Sequence, residues 1–209
     1  MPVPKTLSVY IDYKSPYAYL AVGPAYQLAR DYGVRLDWLP YDLDLGSFMG
    51  TARLGPDGQV VEEQRTAHQW RRVKYSYMDC RRQARKQGLV IRGTQKIWNS
   101  SRALAGLLFA KKSGDDGIVE RYQRLTFERF WKRELDIENA AVVAGVLGEA
   151  GAEGATFAAY LEGPARGELE TVCREAEEKG VFGTPSFILD GELFWGSEHL
   201  PDIRDRLAA

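Results

Sequence analysis

Strand-forming sequence is confined to the two ends of this 209-residue chain. Residues 7–11, L-S-V-Y-I, and residues 34–41, V-R-L-D-W-L-P-Y, are rich in strand formers, and between them the apolar positions of 16–32 recur at helical spacing until Gly33 stops them. Strand, helix and strand within about 35 residues predict a right-handed βαβ unit with a parallel pair. From 62 to 179 almost nothing reads as strand. Helices are expected at roughly 62–87, 99–112, 116–134, 138–150, 154–162 and 165–179, punctuated by Gly88, Gly93, Gly114 and Gly151. The strand pattern returns at 185–195, where two apolar runs flank Asp190-Gly191, a hairpin signal, and 198–208 closes with a short helix.

The order βαβ, helical block, ββα matches an α/β, thioredoxin-like fold with a long all-helical insertion domain. Residues 1–60 and 180–209 are assigned to the thioredoxin-like domain and 61–179 to the insertion. Residues 42–58 read as a long loop marked by Gly46, Gly50, Gly55, Pro56 and Gly58. Loops of that length are uncommon in compact domains and often functional.

Twenty-eight basic and 29 acidic residues leave a formal net charge of -1, which excludes a general attraction to nucleic acid or an anionic membrane surface. No apolar stretch approaches the ~18 to 20 residues of a membrane span, and the N-terminus lacks the apolar core of a signal peptide, so a soluble, cytoplasmic protein is expected. Cys80 and Cys173 form no C-x-x-C, and His68 and His199 are scattered, so neither a redox dithiol nor a metal site is expected.

The first helix begins in D-Y-K-S-P-Y at 12–17. Ser15 is a favoured N-cap and Pro16 suits the first helical turn. The same position has a second meaning, because a βαβ unit presents this helix N-terminus at the carboxyl end of its strand, where free amides and the helix dipole stabilise an anion. With Ser15-Pro16-Tyr17-Ala18 in place of two cysteines, dithiol exchange is excluded, but a serine hydroxyl can donate to a thiolate supplied from outside. The second diagnostic stretch is G-V-F-G-T-P-S-F at 180–187, where Thr184-Pro185 enters a strand; thioredoxin-like folds have a cis-proline opposite that helix end, so this bond is a candidate cis peptide.

D-Y-K-S-P-Y-A-Y-L-A, the Y-x-x-x-D-x-x-R of Tyr75, Asp79 and Arg82, W-N-S-S-R-A at 98–103, and G-V-F-G-T-P-S-F-I-L-D-G-E-L-F-W-G-S resemble the 2-hydroxychromene-2-carboxylate isomerases, which group with the kappa-class glutathione transferases and DsbA. The resemblance spans nearly the whole chain. It implies a homodimer that uses glutathione as cofactor on a small aromatic substrate. Carried over by position, Ser15 would hydrogen-bond the glutathione sulfur, Thr184 before Pro185 would pair with the cysteinyl backbone, Ser197 and Glu198 would hold the γ-glutamyl end, and Arg72 would face the glycyl carboxylate. Tyr75 and Asn99 are further candidates beside the substrate, and Lys14 and Arg102 are candidates for its carboxylate. Lys14 stands where the family commonly has an apolar or small residue.

The expected reaction is cis-trans isomerisation: thiolate addition to a conjugated double bond, rotation, and elimination. A glutathione transferase of the same architecture and a noncatalytic glutathione- or peptide-binding module are the alternatives. Residues 71–86 place seven cations around half a helix, opposite Val73, Tyr77, Cys80 and Ala84. That face reads either as solvated or as a partner for ligand carboxylates. Phe127, Phe130 and Trp131 have core spacing, and Cys80 lies on the apolar stripe.

Overall fold

The computed structural model describes residues 5–208; the M-P-V-P start and Ala209 lie outside them. Strand β1 (Thr6–Ile11), helix α1 (Pro16–Tyr32) and strand β2 (Arg35–Pro40) form the expected parallel βαβ unit. After the helical block, β5 (Ser186–Leu189) and β6 (Glu192–Trp195) make an antiparallel hairpin through Asp190 and Gly191, both at positive φ. That hairpin docks beside β1, with Leu7 opposite Leu189 and Tyr10 opposite Ser186, so the sheet order is β2-β1-β5-β6. The two ends of the chain therefore share one sheet.

Alternation along β1 sets the layers. Leu7, Val9 and Ile11 face a large cluster that includes Leu104, Phe127, Trp131 and Phe157 from the helical block, whereas Tyr10 faces a smaller one with Tyr41, Ala176 and Val181. Phe127, Phe130 and Trp131 are buried, as their spacing predicts. The block comprises α3 (Ala67–Lys86), α4 (Ser101–Lys111), α5 (Asp116–Trp131), α6 (Ala140–Ala150), α7 (Phe157–Glu162) and α8 (Ala165–Glu178), each within a few residues of its expected span. Helix α9 (Leu200–Ala208) follows a short 3-10 turn. Among the described residues no helix is long and apolar enough to cross a membrane.

The segment read as a loop is more ordered than expected. It contains a five-residue helix α2 (Leu45–Met49) and a strand β3 (Ala52–Leu54), which forms a separate hairpin with β4 (Val60–Glu63) just beyond it. These strands are only three and four residues long; β3 alternates over three residues alone, with Arg53 exposed between half-buried Ala52 and Leu54, and every β4 side chain is exposed, so there is too little alternation to recognise. Their position is fixed instead by backbone bonds from Leu54 N to Gln95 O and from Gln64 N to Thr51 O. Helix α3 accordingly starts at a capping box, Thr66 with Gln69, rather than at residue 62.

Candidate functional site

The β1–α1 turn builds the first wall. Asp12 O accepts the Ser15 N–H at 3.0 Å, and Ser15, in extended conformation, caps α1 by accepting the Ala18 N–H at 3.2 Å. The ring of Tyr13 is buried against Tyr122 and Phe127, which anchors the turn from below. Ser15 Oγ then donates to the carbonyl of Thr184, 3.1 Å away on the loop that leads into β5. The Thr184-Pro185 bond is cis. The loop carrying it is pinned by Ser186 Oγ donating to Gly183 O at 2.7 Å and by Gly196 N donating to Pro185 O at 3.0 Å.

These groups open onto a cleft of about 1130 Å³. Ser15, Arg72, Thr184, Pro185, Ser197 and Glu198 all line it, so every residue expected to touch glutathione borders one cavity. Gly196 has φ 103° and ψ 151°, backbone that glycine adopts without strain and other residues rarely do, so glycine suits the turn from β6 into the Ser197–Glu198 segment. Arg72 is exposed on α3, on the wall that also carries Ser76, Asp79 and Gln83. Opposite charge is present too: the Tyr17 hydroxyl donates to Asp79 Oδ2 at 3.2 Å, and burial, with Cys80 and Asp79 beside it, raises the Tyr17 pKa so that this phenol stays protonated.

The further substrate candidates separate. Lys14 lines the cleft, but its ammonium is paired with Asp42 at 2.5 Å and with Asp12 at 3.2 Å. Burial opposes its charge, yet those two carboxylates hold its pKa above the ordinary lysine value. Tyr75 is 57% exposed on α3 and does not border the cleft. Asn99 and Arg102 border a different cavity, of about 770 Å³, formed largely by α4, α7 and α8. There the Asn99 side chain accepts the Ser101 N–H at 3.0 Å and Arg102 donates to the Glu138 carbonyl. The Asn99 side chain thus serves the backbone at the start of α4 and not the cleft.

Several cleft residues escaped the sequence reading. Phe182 and Trp195 are half exposed, with ring centroids 4.9 Å apart, at the end of the cleft nearest Thr184. Arg65, Trp70 and Trp98 line it as well. One signal was available: Arg72, Ser76, Asp79 and Gln83 recur at i, i+4, i+7 and i+11 and so share one face of α3.

A family model for the DSBA-like thioredoxin domain matches residues 6–208. The chain belongs to the DSBA-like thioredoxin family. Within this DSBA-like setting it is similar to the 2-hydroxychromene-2-carboxylate isomerase of Sphingobium xenophagum, 25% identical over 208 residues, which is 97% of this chain and 98% of the relative. The protein of the same name from Pseudomonas putida is 25% identical over 192 residues, 91% of this chain and 88% of that one. A solved structure of 2-hydroxychromene-2-carboxylate isomerase matches with a TM-score of 0.75 at 22% identity, covering 97% of this chain and 94% of the other. What separates this DSBA-like protein from a dithiol enzyme is Ser15 at the helix N-terminus, with Ala18 three residues on.

Proposed function

We propose that this protein is a glutathione-dependent isomerase of 2-hydroxychromene-2-carboxylate-like aromatic compounds. The observation that carries the reading is the single cleft in which a capped helix N-terminus, a cis-proline loop and an opposing arginine converge. The resemblance to named isomerases over nearly the full chain supports the reaction class.

The residues present fit glutathione. The carbonyl of Thr184 and the hydroxyl of Ser15 lie side by side where a cysteinyl residue would be read, and Arg72 offers a guanidinium for a carboxylate. When bound, glutathione supplies a nucleophilic thiolate that adds reversibly to a conjugated double bond and permits rotation about it. A free thiol has a pKa near ~8.5 and is mostly protonated at neutral pH. The chain's contribution is to shift that balance: the Ser15 hydroxyl and the N-terminal end of α1 favour the anion. Ser15 itself needs no base, because in this role it donates a hydrogen bond and never gives up its proton. The apolar and aromatic walls, including Phe48, Trp70 and Trp98, keep an aromatic substrate beside that point and exclude water from it.

The test is a product analysis with 2-hydroxychromene-2-carboxylate, with and without glutathione. An isomer of unaltered mass, formed only when glutathione is present, is expected. A product heavier by one glutathione would make the protein a transferase, and equal turnover without glutathione would remove the thiol from the mechanism.

A further inference from the structure

Lys14 precedes Ser15 and is only 7% exposed. Its ammonium has three acceptors in reach: Asp42 Oδ1 at 2.5 Å, Ser100 Oγ at 3.1 Å and Asp12 Oδ2 at 3.2 Å. An ammonium has three donors and no acceptor, so this set leaves none for a substrate carboxylate. Charge argues the same way. The aspartate side chains on either side already answer the lysine's charge, which leaves little of it for an anionic ligand.

The cluster instead converges on the turn that presents Ser15. Asp12 is fully buried; its carboxylate accepts the Lys14 N–H at 3.0 Å and the Leu43 N–H at 2.8 Å, while its carbonyl accepts the Ser15 N–H at 3.0 Å. Asp42 lies just beyond β2, and Ser100 stands at the start of α4. Three segments that are distant in sequence thus meet on one side chain.

We propose that Lys14 is a positioning residue, which ties the 12–15 turn to Asp42 and Ser100 and so keeps the Ser15 hydroxyl aimed at the Thr184 carbonyl. Its catalytic consequence rests on the glutathione reading above; the geometric claim does not. Without the cation, Asp12 is a buried carboxylate with no counter-charge, and the turn it holds must relax or take up a proton.

The experiment compares the full chain with Lys14→Met and with the milder Asp42→Ala, which removes only the outer anchor. Amide hydrogen exchange at Ser15 and Leu43 is expected to quicken by about tenfold or more in Lys14→Met, with exchange in Ser186–Leu189 unchanged, because opening is local. The ultraviolet absorbance of the glutathione thiolate on the protein should titrate about one pH unit higher in the variant, in the same direction as in Ser15→Ala. Unchanged exchange at Ser15 and Leu43 would overturn the proposal, as would faster exchange with an unmoved thiol titration in a variant that still binds glutathione. If Lys14→Met does not fold, Asp42→Ala carries the same comparison with smaller shifts. A wild-type protein that bound no glutathione would sink the proposed function, while the exchange comparison would still decide whether Lys14 holds the turn.

Discussion

Ser15 Oγ lies 3.1 Å from the carbonyl oxygen of Thr184, across 169 positions of sequence. A serine hydroxyl has one proton, so this bond and a bond to a ligand sulfur are alternatives. The hydroxyl hydrogen must swing from the carbonyl to the sulfur when a thiolate arrives. The cap bond from the Ala18 N–H uses a lone pair and is indifferent to that swing.

Replacing Ser15 by alanine removes both functions, and they separate by measurement. Loss of the cap is expected to lower stability by about 1 kcal/mol in urea unfolding. Loss of the donor to the thiolate is expected to lower kcat for isomerisation by about a hundredfold, the scale of removing one preorganised donor from a developing anion. A Ser15→Ala protein that isomerised at the wild-type rate would exclude the hydroxyl from the chemistry.

Arg72 gives a prediction of the opposite kind. It faces the cleft from α3 and not from the Ser15 end, so its interaction with a ligand carboxylate is the same before and during reaction. Arg72→Ala is expected to weaken glutathione binding by about tenfold while leaving kcat at saturation nearly unchanged, the pattern of uniform binding. Calorimetric titration checks the first part and saturation kinetics the second. Added salt should narrow the gap between the two proteins, because the partner charges are exposed and screened. Equal affinities at low salt would remove Arg72 from the site.

Cys80 supplies a test of pH dependence. Burial pushes its thiol up to about 12, against an ordinary value of 9.0. A group whose folded pKa is raised contributes stability that is present below its unfolded pKa and lost as pH rises through the folded one. The protein is therefore expected to lose stability between about pH 9 and 12, and Cys80→Ala should flatten part of that slope while leaving its neutral-pH activity in place. Tyrosines whose pKa values are raised chiefly by burial, Tyr13, Tyr26 and Tyr122 among them, act in the same direction, so Cys80 accounts for part of the slope only. Denaturant midpoints measured across this range, variant beside wild type, check the assignment. Superimposable pH profiles would mean that Cys80 is not strained by its burial.

Local rules made much of the architecture legible. Ser15-Pro16 marks a helix start and Asp190-Gly191 a hairpin, because each depends on residues next to it in sequence, whereas the cis Thr184-Pro185 bond is legible only from its place in the order of elements. The β3–β4 hairpin was not legible, since its strands are short, β4 has no buried face, and a backbone bond to Gln95 positions it. The role of Lys14 was hidden for another reason. Its acceptors Asp42 and Ser100 lie 28 and 86 positions away, and a lone lysine beside a serine looks the same in sequence whether it faces solvent or three protein oxygens. Arg102 was misleading in the complementary sense: it sits in a motif read as bordering the substrate, yet α4 carries it to the other cavity.

The pairing of Gly183 with Trp195 allows a sharper prediction about the end of the cleft nearest Thr184. The indole lies so close over Gly183 that a methyl group added there would meet its nitrogen at 2.6 Å. Gly183 is bonded to Thr184, whose carbonyl faces Ser15, so any shift forced at 183 is transmitted to that carbonyl or expels the indole. Gly183→Ala is expected to lower kcat/KM by about tenfold, roughly 1.4 kcal/mol of transition-state stabilisation. In a Trp195→Ala background the same methyl has space, so its further cost should be small and the two losses should not add. Kinetics of the four proteins, with thermal melting to confirm that each is folded, measure the coupling. Additive losses would show that Gly183 matters for its backbone freedom and that the indole is a bystander; a strong coupling would identify the Trp195 ring as the wall that keeps Thr184 in register with Ser15.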